Sequence, residues 1–262
     1  MSAFICAALA LIPLFAVLIY VFIQGAARLG PDLFTQLPPP PLVKGGGFGN
    51  AFMGTLLMVG IAALISIPFG VLAAIFLAEF ARDTKLSDAV DFCTNVLSGV
   101  PSIVIGVFAY SIVVLTTGTF SAVAGGVALA VLMLPTIVKT ATEALESVPT
   151  EFRQASVGLG ATRFQTVAGV VLPAALSAIV TGVMLAVARA AGETAPLIFT
   201  ALFNQYWPRG IWEPTASLAV LVFNFAIVPY KNQQQLAWAA ALVLVLMVLI
   251  ASILARWVTR KR

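Results

Sequence analysis

Charged side chains are missing from five long stretches of this chain: Met1 to Ala27, Gly45 to Ala78, Phe92 to Val138, Phe164 to Ala188 and Ala237 to Ala255. A helix rising about 1.5 Å per residue crosses a bilayer core of about 30 Å with some 20 mainly apolar residues. Four stretches suit one such helix each. The third is too long, and the polar "TTGTF" at Thr116 to Phe120 divides it in two. The pattern predicts an all-α polytopic membrane protein of one domain with six spans, at about 2–27, 51–80, 92–115, 121–139, 170–203 and 236–257. Two connecting segments on one side are long, 28–50 and 204–235, and a third on the other side covers 140–169.

Composition supports that class. The chain is 61% apolar and 9% charged, against roughly 25% charged in an ordinary soluble domain. The first stretch resembles a cleaved leader only superficially, because no basic residue precedes it and no small-residue cleavage site is evident. Two cysteines, Cys6 and Cys93, lie in or beside apolar stretches and no histidine is present. They read as small buried apolar residues, and neither a metal nor a catalytic grouping is expected.

The net charge of +4 reads as membrane orientation, not as affinity for nucleic acid. With both ends on one side, nine Lys and Arg fall there (Arg82, Lys85, Lys139, Arg153, Arg163, Arg256, Arg260, Lys261 and Arg262). Four fall opposite (Arg28, Lys44, Arg209 and Lys231), and Arg189 is inside a span. The positive-inside rule then puts both termini in the cytoplasm. In the outer loops, "PPPP" is a stiff spacer, "GGG" is a flexible turn, and Tyr206, Trp207, Trp212 and Tyr230 suit an aromatic belt. Pro68, Pro101, Pro135 and Pro173 are placed to kink four spans, as interrupted transporter helices do.

The inner segment holds a short helix of its own. Pro149 suits the first turn of that helix, Phe152, Ala155 or Ser156, and Leu159 recur at helical spacing, and Gly158 and Gly160 end it. Such a helix either fills a groove on a partner protein or lies on the lipid headgroups. The stretch "QASVGLGATRFQTVAGVVLP" resembles the EAA loop of ABC importer permeases. Gln154, Ala155 and Ser156 stand for Glu-Ala-Ala, followed by Gly160 and then Val170, Leu172 and Pro173. The resemblance implies that Phe152, Gln154, Ala155, Ser156, Gly160, Leu172 and Pro173 couple this chain to a separate ATPase subunit. No phosphate-cradling G-x-x-x-x-G-K-[ST] is present. This chain therefore carries no cofactor, and ATP and Mg belong to that partner.

The remaining question is Arg189 and Glu193, four residues apart in "GVMLAVARAAGETAPLIFTAL". A span over 170–203 sets Arg189 near the bilayer midplane, where an arginine costs about 2.5–3.5 kcal/mol to insert. Helical i,i+4 spacing makes Glu193 its partner. Two readings stand. The pair is a structural tie between helices, or Arg189 offers its planar fork of donors to a tetrahedral anion on the transport path.

"ARAAGETAPLIFTALFNQYWP", "GGGFGNAFMGTLL" and "SGVPSIVIGVF" are similar to stretches of the membrane subunits of bacterial phosphate-specific ABC importers. The resemblance implies a type-I importer permease of the bacterial inner membrane, with Arg189, Glu193 and Thr194 on the substrate path. Its partners would be a homologous second permease, two ATPase subunits and an extracytoplasmic phosphate-binding protein, with phosphate as cargo. Alternatives are a permease for molybdate, sulfate or tungstate, and a secondary transporter, which the EAA-like loop argues against. An intramembrane enzyme would need an Asp-rich, His-Glu or Ser-His grouping that the spans lack.

Overall fold

The computed structural model describes residues 2–82 and 84–260; Lys261 and Arg262, counted above among the inner cations, lie outside them. The chain runs through α1 (Ser2–Ala26), α2 (Asp32–Thr35), α3 (Gly49–Phe80), α4 (Lys85–Gly99), α5 (Ser102–Thr117) and α6 (Ala122–Glu146). It continues through α7 (Thr150–Gly158), α8 (Arg163–Ala191), α9 (Ala195–Thr200), α10 (Leu218–Ala226) and α11 (Lys231–Arg260). Among the described residues there is no strand.

Among the described residues four helices, α3, α6, α8 and α11, are each long and apolar enough to cross a bilayer. Their bounds depart from the predicted ones where local chemistry overrides the apolar pattern. The span placed at 92–115 is two helices, α4 and α5, meeting at 103°. Pro101 lacks the N–H that would continue the helix, and Val100 before it is forced into extended backbone (φ −71°, ψ 129°). α3 and α6, by contrast, run through Pro68 and Pro135. At Pro173 the helix also continues, after widening into a π-helical turn over Val167–Val171. That turn lies where the proline ring would otherwise press on the Gly169 carbonyl. Of the four expected kinks, then, Pro101 alone separates two helices.

The span placed at 170–203 starts at Arg163 and stops at Ala191. Its start is fixed by a capping box, in which the Thr162 hydroxyl accepts from the Gln165 N–H and Gln165 Oε1 accepts from the Thr162 N–H. Its end is fixed by Gly192 and by Pro196, which stands four residues on and cannot donate back to the Gly192 carbonyl. The 140–169 segment shrinks accordingly, since α6 continues to Glu146. The 204–235 segment is not all loop. It contains α10, whose Leu218, Leu221 and Phe225 are buried against Phe48, Ala51 and Leu236.

α6 is the hub, packed against α3, α4, α5, α8 and α9. It can be so because it carries small residues where its neighbours arrive. Gly126 meets Ile61, Gly125 meets Met58, and Gly70 of α3 meets Ile137. Membrane helices have no apolar surface to hide from water, so close backbone approach of this kind is what holds them together. Gly182 of α8 seats on Thr140, whose hydroxyl is tied back to the Thr136 carbonyl at 2.8 Å. α1 lies at the edge, resting on α11 through Tyr20 and Trp238, whose rings meet edge-on at 5.0 Å. Cys6 and Cys93 are free and exposed on the chain, so the expected burial of both is corrected. Each sits on a helix face that this chain does not cover.

Replacing Gly182 with valine drives a branched carbon into Thr140, and overpacking of this kind costs about 1–3 kcal/mol. Thermal unfolding in detergent is expected to shift down for Gly182→Val and to hold for Gly169→Ala, whose new carbon meets nothing within 4 Å.

Candidate functional site

The two regions singled out by sequence lie at opposite ends of α8. Arg189 is in the last turn of the helix, not at its middle, because the helix starts earlier and ends earlier than the apolar pattern implies. A cation in the last turn is favoured by the partial negative charge of the last carbonyls, worth about 0.3–1 kcal/mol.

Glu193 lies just beyond the helix end, past Gly192 (φ −89°, ψ −5°). Its Oε1 stands 3.7 Å from Arg189 Nε, close enough for an ion pair and too far for a hydrogen bond. The arginine side chain is 57% exposed and the glutamate 17%. Among the described residues the Arg189 guanidinium has no hydrogen-bond acceptor. Its fork is free and faces away from this chain's own core, on the same exposed face as Ala178, Thr181, Leu185 and Gly192. The buried face carries Ala175, Ile179, Gly182, Val183, Ala186 and Ala190 instead. Two cavities reach this part of α8 without Arg189 in their lining. One, of about 460 Å³, is bordered by Thr140, Thr181, Ser252 and Arg256. The other, of about 410 Å³, is bordered by Ala188, Gly192, Val248 and Ser252.

Thr194 follows, half-buried, its carbonyl accepting from the Leu197 and Ile198 N–H groups at the start of α9. α9 then brings two of the sequence motifs together. Pro196 of "GETAP" lies so close to Gly106 of "SGVPSIVIG" that any side chain at 106 would strike the proline ring. The same corner is stapled to α6 and α3. The Ser121 N–H donates to the Thr200 carbonyl at 3.0 Å, and Asn50 Nδ2 donates to the Asn204 carbonyl at 2.8 Å.

At the other end of α8, α7 contains no buried residue. Phe152, Val157 and Leu159 are 56%, 56% and 91% exposed, an apolar surface with nothing of this chain upon it. Gln154 and Ala155 are exposed as well, and Gly160 ends the loop with a left-handed φ of 86°. Ser156 behaves differently. Its hydroxyl is 2.9 Å from that of Thr166, so the residue that departs from the Ala of the EAA pattern ties α7 to the start of α8. Leu172 and Pro173 are not brought to this surface. They lie within α8, where Leu172 packs on the main core.

A contact invisible in the sequence joins this region to the rest. Arg153 donates to Glu79 through Nε at 3.2 Å and Nη2 at 2.6 Å, and to the carbonyls of Val148 and Leu145 at the end of α6. Glu79 is the first charge after the second apolar stretch, which hints at a partner. That partner is 74 positions away, so no helical spacing reveals it.

The match to known proteins agrees with this layout. Residues 66–262 match the family described as binding-protein-dependent transport system inner membrane component. The chain belongs to this family. It is also 41% identical over 239 residues to a phosphate transport system permease protein PstA of Yersinia pestis, covering 91% of this chain and 81% of that one. A PstA of Xylella fastidiosa (strain 9a5c) is 44% identical over 234 residues, 89% of this chain and 81% of its own length. Among solved structures, an inward-facing MetNI methionine ABC transporter aligns over 80% of this chain and 94% of its own, with a TM-score of 0.66 at 21% identity. The fold is that of a type-I ABC importer permease, and family members work with ATPase and substrate-binding partners.

Ser156→Ala removes a hydrogen bond and leaves the buried Thr166 hydroxyl without its partner, a loss of about 1–3 kcal/mol. Amide hydrogen exchange across α7 is expected to quicken in this variant. Unchanged exchange would show that the bond does not hold the helix.

Proposed function

We propose that this chain is one of two permease halves of an ATP-driven phosphate importer of the bacterial inner membrane, with both termini in the cytoplasm. The observation that carries the reading is the 41–44% identity, over 89–91% of the chain, to relatives named as phosphate transport permeases. α7 then faces the cytoplasm and seats Phe152, Gln154, Ala155 and Ser156 against a separate ATPase subunit. ATP and Mg bind there, since this chain has no phosphate cradle. A homologous permease covers the face of α8 that carries Arg189, and an extracytoplasmic binding protein delivers phosphate to its outer end.

In this arrangement Arg189 is the anion contact at the outer mouth of the path. A guanidinium offers two parallel N–H donors to two oxygens of a tetrahedral anion. Glu193, 3.7 Å away, balances the cation when the path is empty and leaves its donors unspent. It also accepts from a protonated phosphate oxygen, and it repels an anion that has no proton to give. The nearby Thr194 hydroxyl adds a further group that donates and accepts.

The test is uptake of radiolabelled phosphate by the reconstituted complex, with and without ATP. Wild-type uptake is expected to require ATP. Losing charge-assisted hydrogen bonds worth about 1.5–3 kcal/mol should lower the Arg189→Ala rate roughly 10- to 100-fold. Arg189→Lys keeps the charge and loses the fork, and should fall between. Wild-type rates in Arg189→Lys would exclude bidentate recognition, and uptake that survives removal of ATP would exclude the importer class.

A further inference from the structure

The Glu79–Arg153 contact suggests how movement of the short helix reaches the membrane spans. No residue of α7 is buried, so apolar packing does not fasten it to α3 or α6. Its polar ties are the Ser156–Thr166 hydrogen bond toward α8 and the Arg153 guanidinium toward the other two. On the flank between α7 and the start of α8 lies a cavity of about 370 Å³, bordered by Glu79, Arg82, Arg153, Val157 and Arg163. Packing there is loose as well.

Arg153 spends its donors on two elements at once. Nε and Nη2 grip the Glu79 carboxylate, in the π-helical turn Phe76–Phe80 that closes α3. Nη1 reaches the Val148 carbonyl and Nη2 the Leu145 carbonyl, where α6 ends. The glutamate side chain is 7% exposed and the arginine 19%. A pair this sheltered, with its spare donors satisfied, is a fixed link and not a loose surface contact.

We infer that Glu79 and Arg153 are positioning residues that transmit displacement of α7 to α3 and α6, so that ATP hydrolysis is coupled to opening of the path. This rests on the importer reading above. A lysine at 153 has no planar fork and cannot hold the carboxylate and both carbonyls together. A glutamine at 79 keeps the shape and removes the charge.

The experiment uses the complete complex in liposomes with its binding protein, measuring ATP hydrolysed and phosphate imported in the same sample. For Glu79→Gln, the ATPase subunits should remain bound in full proportion and hydrolysis should continue. Phosphate imported per ATP should drop by roughly tenfold, the factor expected when charge-assisted hydrogen bonding is lost. In a cysteine-free background, Glu79→Cys with Arg153→Cys should be uncoupled in the same way, and a short bis-maleimide joining the two should restore the ratio. The inference falls if Glu79→Gln keeps the wild-type ratio, if uptake and hydrolysis decline together, if the ATPase is lost, or if cross-linking restores nothing. A wild-type complex that imports no phosphate sinks the functional reading itself. Stimulation of hydrolysis by the binding protein then tests the link alone, and unaltered stimulation in Glu79→Gln overturns it.

Discussion

Everything in this molecule depends on backbones coming close in a solvent that does not push them together. Lipid tails are as apolar as leucine, so spans associate through contact area and hydrogen bonds. α6 meets that constraint with Gly125, Gly126 and a series of buried alanines, which let α3 and α8 lie against it. Gly70 on α3 and Gly182 on α8 answer from the other side. Glu79 and Arg189 stand in the closing turns of their helices, each with an oppositely charged partner.

That arrangement gives α8 a particular place. It is one continuous helix of 29 residues, about 43 Å long at 1.5 Å per residue. One end is tied to α7 by Ser156 and Thr166, and the other carries Arg189. The exposed short helix and the Arg189–Glu193 pair thus lie at two ends of a single stiff element. α9 and the stapled corner around Asn50, Ser121 and Thr200 hold the far end in place.

The apolar spans were legible because charge is so costly in lipid that its absence marks them. Their ends were not, because hydrophobicity says little about where a helix starts and stops. Thr162 with Gln165, and Gly192 with Pro196, were each readable as caps and breaks, yet the oily residues between 192 and 203 outweighed them. The prolines show the same limit. Pro68 is carried through by a helix packed at Gly70, whereas Pro101 follows Gly99 and a residue already driven extended. The pairing of Arg189 with Glu193 was visible in their spacing. The pairing of Glu79 with Arg153 exists only once the chain has folded.

Among the described residues, the π-helical turns at Phe76–Phe80, Tyr110–Val114 and Val167–Val171 have an effect on direction. Each inserts one residue into a helix that turns about 100° per residue, so the side chains beyond it are rotated by a quarter turn or more from where the simple repeat would aim them. In α8 the wider turn keeps Val167 and Val171 on the same buried flank as Ala175 and Ile179 beyond it. A single rod can thus rest one flank on its own chain and leave the opposite one, with Arg189, uncovered.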